Sequence, residues 1–103
     1  MTTVANPVLR GFHPDPCLCQ AHGKYYLATS TFQWVPAVSL YESDDLVTWR
    51  SLGGALPNLD LRGVPDSAGV WAPDLSYDEA NDHFWLTYTI AYQIDGIFKD
   101  VRN

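Results

Sequence analysis

The sequence predicts an all-β fold built from small sheets repeated along the chain in the manner of a β-propeller, and three observations carry that expectation. A Pro-Asp pair occurs twice, in HPDP (His13 to Pro16) and in WAPD (Trp71 to Asp74), each followed at the same offset by an aromatic-rich run. From Asp15 that run is Tyr25, Tyr26, Leu27, Ala28, Thr29, Ser30; from Asp74 it is Phe84, Trp85, Leu86, Thr87, Tyr88, Thr89. The spacing of 59 residues between the aspartates is long for one hairpin and suits a four-stranded sheet with its loops, the unit of a propeller. Short β-rich runs bounded by turn residues fill both copies, and no stretch offers a helical stripe.

The elements follow in order. Residues 1–14 hold Pro7, Gly11 and Pro14 with little periodicity and read as an extended lead-in. Four strands are expected at about 16–20, 24–31, 37–43 and 47–52, separated by His22-Gly23, by Val35-Pro36-Ala37 and by Asp44-Asp45. The Gly-, Pro-, Asn- and Asp-rich stretch from about 53 to 69 reads as a long crossing loop, a kind of segment that often carries function. A second sheet is expected to begin with strands at 70–77 and 83–91 around the acidic turn DEAND, and Asp95-Gly96 suggests one more turn. The organisation is thus blade one at about 15–55, a connection at about 53–69 and the start of blade two at about 70–103, the whole of 1–103 forming part of one propeller domain.

Bulk properties narrow the partners. A chain of 103 residues can bury roughly two thirds of its extended surface. Yet four Trp, six Tyr and four Phe exceed what an isolated pair of small sheets hides, and a blade is apolar on faces that only neighbours cover. Either other chain segments cover those faces or the protein self-associates through them. Twelve acidic against six basic residues give a net charge of −6 with no Lys/Arg cluster, which disfavours nucleic acid and anionic membranes and leaves a neutral oligosaccharide open. No apolar run approaches 18 residues, and the start MTTVANP has neither the basic nor the apolar region of a signal peptide, so a cytoplasmic location is expected. Cys17 and Cys19 fall on one face of one strand and read as free, partly buried thiols.

The strings NPVLRGFHPDP (Asn6 to Pro16), YYLATSTF (Tyr25 to Phe32), ESDDLVTW (Glu42 to Trp49), DLRGVPDSAGVWAPDLSY (Asp60 to Tyr77) and DGIFKD (Asp95 to Asp100), in this order, resemble glycoside hydrolase family 43 in its β-xylosidase and α-arabinofuranosidase branch. The resemblance implies the N-terminal portion of a five-bladed β-propeller, about two blades with the second incomplete, whose blades meet at a central pocket. It also implies hydrolysis, with inversion, of terminal β-D-xylosyl or α-L-arabinofuranosyl residues by one carboxylate base, one acid and a third carboxylate that tunes the acid. The base matches Asp15; the other two belong to later blades, so the 103-residue chain is expected to be inactive alone. A noncatalytic carbohydrate-binding module or an inactive truncated fragment is the alternative. Calcium occurs in the central channel of some relatives, but nothing in these residues demands it and no cofactor is expected.

Asp15 suits a base if it sits at the mouth of the first strand, where Pro14 and Pro16 limit its wandering; the plainer reading is a turn aspartate capping that strand. Phe32 and Trp71 are expected to wall the sugar pocket, because an aromatic face offers apolar area to the C–H side of a sugar ring. Blade packing is assigned to Tyr26, Trp49 and Trp85. Asp74 takes the place of Asp15 in the second repeat without thereby being an acid, and Arg62 and Asp66, in the loop before the second blade, are read as structural residues bridging blades, with a place at the border of the site as the alternative. His13 is expected to hydrogen-bond near the base, and His22 and His83 read as surface residues.

Overall fold

A computed structural model describes residues 3–93 and 100–102. The strands are β1 (Cys17–Ala21), β2 (Lys24–Thr29), β3 (Ala37–Ser43), β4 (Arg50–Leu56), β5 (Gly69–Asp78), β6 (His83–Gln93) and β7 (Asp100–Arg102). They form two antiparallel meanders, β1-β2-β3-β4 and β5-β6-β7. The Asp95-Gly96 turn and most of the DGIFKD string lie outside the described residues.

Local chemistry explains the joints. Ala21 pairs with Lys24, so β1 and β2 meet over His22-Gly23, both at positive φ (53° and 70°), the conformation a two-residue hairpin of right-twisted strands requires. The fourth strand begins at Arg50 rather than near 47. Residues 43–49 instead form a side-chain-capped turn: Ser43 Oγ accepts from the N–H groups of Asp45 and Leu46, and Asp45 Oδ1 accepts from those of Val47 and Thr48. Such local bonds compete with a sheet ladder. β4 then continues through Gly53 and Gly54 to Leu56, where the composition had suggested loop. A Cβ on Gly54 would lie 2.6 Å from Pro36 Cβ, so the absence of a side chain is what lets this part of β4 lie against the β2–β3 connection.

Between β4 and β5 the chain makes a series of tight turns, with backbone bonds from Leu59 to Leu56, from Val64 to Leu61 and from Ala68 to Pro65. Leu61 drops from this connection into the core formed by Ala28, Ala37, Val38, Val70 and Leu75. Those side chains are mostly small, so β5 packs closely on β1, β2 and β3. Burying Val38 or Val70 completely is worth about 1.5–3 kcal/mol each. Tyr26 packs as expected, its ring 5.0 Å from that of Phe84, and half-buried Trp49 donates its indole N–H to Leu46 O. Trp85 is 64% exposed opposite Ser76, on the face of β5 and β6 away from the first sheet, and its side chain hydrogen-bonds Asp78.

Candidate active site

The two sheets carry the same irregularity at corresponding places. In the first, Ser30 donates its backbone N–H to Pro14 O, and regular pairing resumes at Cys17 with Ala28. In the second, Trp71 pairs with Thr89 and Asp74 with Thr87. Each time two residues are squeezed between positions where the partner strand has one, which is a β-bulge, a device that re-aims a side chain. Asp15 (φ 51°) and Ala72 (φ 40°) occupy the same left-handed position in their bulges. The ungapped repeat matched Asp15 to Asp74, and the strand registers correct this to Ala72. The β5–β6 loop Glu79–Asp82 is two residues longer than the β1–β2 loop, which shifts β5 against the repeat.

At Asp15 the bulge turns the carboxylate toward the second sheet. Ser30 Oγ, wholly buried, donates to Asp15 Oδ2 at 2.7 Å and accepts the backbone N–H of Ala72 at 2.6 Å. Asp15 itself is exposed, and Oδ1 takes no hydrogen bond from the described residues. Through Ser30 the Asp15 carboxylate is linked to the backbone of the neighbouring sheet.

Phe32, two residues after Ser30, and Trp71, one before Ala72, come together across the seam. Phe32 and Val70 exchange both backbone hydrogen bonds (3.0 and 2.9 Å), a single bridge joining the sheets. Gly69 makes that bridge possible: its φ is +94°, and a Cβ there would stand 2.1 Å from Phe32 O. The Phe32 and Trp71 rings are then 6.3 Å apart and tilted by 55°, and the Trp71 indole N–H donates to Ser67 O. Phe12 extends the row with its ring edge-on to Phe32 at 5.1 Å. Sequence reasoning missed Phe12 and Ser30. The signal for Ser30 was present as Thr29-Ser30-Thr31, an unbroken run of hydroxyl residues at the end of an apolar strand.

The remaining sequence candidates divide. His13 Nε2 donates to Arg10 O at 2.9 Å, which leaves Nδ1 to accept from Tyr41 OH at 3.3 Å; His13 thus anchors the lead-in rather than the carboxylate. Among the described residues Arg62 pairs with Asp60 two residues away and makes no hydrogen bond or ion pair to the second sheet; its bond to Asp60 lowers the Asp60 pKa and raises that of Arg62. Asp66 is exposed, and it is Ser67 N–H, donating to Gln33 Oε1, that ties the connection to the first sheet. Cys17 and Cys19 are free and half-buried. Cys17 Sγ accepts the Leu75 N–H at 3.2 Å and lies 3.5 Å from Asp74 Oδ1. Asp74 also lines a shallow cleft of about 310 Å³ with Ala72, Thr87, Tyr88 and Thr89. His22 is exposed as expected but is not idle, because His22 Nε2 lies 2.7 Å from Asp82 Oδ1 and 3.0 Å from Tyr77 OH, joining the two hairpin turns. Among the described residues no three His, Cys, Asp or Glu side chains converge on a place that could hold a metal ion.

A carboxylate held at the seam of two small sheets, in segments that also carry an aromatic row, can accept hydrogen bonds from a polar molecule while the rings offer it apolar surface. The chain is similar to known proteins. The chain is 48% identical over 103 residues to a beta-xylosidase of Bacillus subtilis (strain 168), a match that covers 97% of this chain and 19% of that protein. It is 47% identical over 106 residues to xylosidase/arabinosidase 43B of Humicola insolens, covering 100% of this chain and 19% of the relative. The crystal structure of xylan beta-1,4-xylosidase from Bacillus halodurans C-125 superposes with a TM-score of 0.89 at 44% identity over 96% of this chain and 19% of that one. The chain thus spans about a fifth of the length of these relatives. The profile of glycosyl hydrolases family 43 matches residues 4–99, and with two all-β meanders placed as in the propellers of that family, the chain belongs to glycoside hydrolase family 43.

Proposed function

We propose that these residues form the base-bearing part of an inverting exo-glycosidase that removes terminal β-D-xylosyl or α-L-arabinofuranosyl residues from neutral oligosaccharides. The observation that carries this reading is Asp15 on its bulge, one carboxylate oxygen bound to Ser30 and the other without a hydrogen bond from the described residues. The relatives named beta-xylosidase and xylosidase/arabinosidase support the substrate class.

Asp15 Oδ1 takes a proton from a water molecule as that water's oxygen bonds to the anomeric carbon. The bond from that carbon to the leaving oxygen breaks on the opposite face, and the leaving oxygen receives its proton from a carboxylic acid. Inversion needs the two carboxyl groups about 6.5–9.5 Å apart so that water fits. We place the acid, and the carboxylate that tunes it, outside residues 1–103. Phe32 and Trp71 supply the apolar wall against which the sugar ring stacks. The low count of basic groups suits an uncharged ligand.

The test is turnover of aryl β-xyloside and aryl α-arabinofuranoside by the full-length product of the gene, wild type beside Asp15→Ala. Loss of a positioned general base lowers kcat by about 10²–10⁴-fold. Added azide, which needs no base, restores aglycone release and yields a glycosyl azide of inverted configuration. Near-normal turnover of Asp15→Ala would remove Asp15 from the mechanism. Turnover by the 103-residue chain alone would show that the acid lies within it.

A further inference from the structure

We propose that Ser30 is a positioning residue for the base, its hydroxyl oriented by the second sheet so that Asp15 presents Oδ1, and not Oδ2, to the attacking water. This rests on the reading of Asp15 as the base and adds the group that aims it.

The argument is one of hydrogen-bond bookkeeping. A serine hydroxyl has one proton to give. The Ala72 N–H lies 2.6 Å from Ser30 Oγ and can only donate, so it occupies an acceptor lone pair there. The hydroxyl proton then has one partner in reach, Asp15 Oδ2 at 2.7 Å. Ser30 is completely buried, so no bulk water competes for either place. Its backbone is held as well, through Ser30 N–H to Pro14 O at 2.9 Å, on the residue immediately before Asp15. The carboxylate is thus tied to one serine at its oxygen and, through the chain, at its backbone.

The second sheet shows how much backbone is committed to this. The Ala72 N–H reaches Ser30 from the bulge, and Ala72 holds φ 40°, a left-handed conformation that alanine rarely takes. The Phe32–Val70 bridge, two residues away on both segments, brings them together. A protein that needed only to close two sheets would have no reason to direct an alanine N–H at a buried hydroxyl and that hydroxyl at an exposed carboxylate. The same contact distinguishes the two oxygens: Oδ2 is engaged by Ser30 and Oδ1 takes no hydrogen bond from the described residues.

The experiment compares Ser30→Ala, Ser30→Cys and Asp15→Ala in the full-length gene product, with melting temperature recorded for each. The thiol is close in shape to the hydroxyl and a weaker donor. Expected is a graded kcat, wild type above Ser30→Cys above Ser30→Ala, with Ser30→Ala about 10- to 100-fold down, since a small misplacement of a reacting group costs that much. KM stays within about threefold of wild type, because binding still rests on the aromatic row. Azide leaves Ser30→Ala unimproved while it rescues Asp15→Ala, because the aspartate still fills its place. Ser30→Ala at wild-type kcat, in an enzyme that Asp15→Ala silences, overturns the positioning role alone. If Ser30→Ala does not fold, Ser30→Cys decides: a lowered kcat at normal KM supports the role, and kcat, KM and melting temperature failing together reduce Ser30 to a packing residue. Normal turnover by Asp15→Ala would instead strike the assignment of the base.

Discussion

Replacing Gly69 by alanine tests the seam that places Phe32 and Trp71. Two costs add. The backbone at 69 holds φ +94°, where a Cβ is strained by about 1–2 kcal/mol. The new Cβ would also stand 2.1 Å from Phe32 O, 2.4 Å from Phe32 C and 2.8 Å from Gln33 N, all backbone atoms that cannot swing aside. Relief requires the strands to part, which breaks the Phe32–Val70 pair of hydrogen bonds at about 0.5–1.5 kcal/mol each. Together this predicts a loss of about 2–5 kcal/mol. Gly63→Ala is the internal control, because Gly63 has a similar φ of +82° but nothing within 4 Å of its Cβ direction. It pays the conformational cost alone, about 1–2 kcal/mol. The assay is denaturant unfolding of the full-length gene product, read as the midpoint at constant slope, with KM for aryl β-xyloside measured alongside. Gly69→Ala should lower the midpoint clearly more than Gly63→Ala and raise KM, whereas Gly63→Ala leaves KM unchanged. Equal midpoints for the two variants would refute the close-approach argument, and an unchanged KM in Gly69→Ala would show that the bridge does not position the Phe32 wall.

Other predictions concern titratable groups. At the junction of the hairpin turns, hydrogen bonds from Tyr77 and then His22 hold the Asp82 pKa below the ordinary carboxylate value, and Asp82 in turn pushes the Tyr77 hydroxyl up to about 12, with Glu79 and Asp78 adding to the effect. A depressed carboxylate stabilises the fold above its unfolded value of about 3.9, and that contribution is lost as pH falls through the lower folded value. A raised phenol contributes below about 10 and loses its contribution as pH rises toward 12. The stability gap between wild type and Asp82→Asn should therefore narrow at low pH, as Asp82 is protonated, and again as pH rises toward 12. A gap independent of pH would contradict the clasp. Burial, then Cys17, then Asp74 raise the Cys19 thiol above its usual pKa. At pH 8 Cys19 should react with an aromatic disulfide reagent more slowly than a free thiol does, and equal rates would show that Cys19 is not shielded.

What the sequence determined by itself was local in origin. Short β-rich runs, the turn residues that bound them such as His22-Gly23, and the Pro-Asp pairs placed six of the described strands to within a few residues, because strand preference and turn chemistry act over neighbouring positions. The family strings were legible in the same way, and with them Asp15, Phe32 and Trp71 as candidates. The start of β4 was misplaced because a side-chain-capped turn and a ladder draw on the same backbone groups, and composition does not say which prevails. Only the tertiary structure decided which residue corresponds to Asp15. A loop longer by two residues slides one strand past the repeat and substitutes Ala72 for Asp74. It alone joined Ser30 to Ala72, 42 residues apart, and Tyr77 to His22, 55 apart. Hydrogen bonds at such separations arise from the packing of one sheet on another, and no periodicity within either strand encodes them.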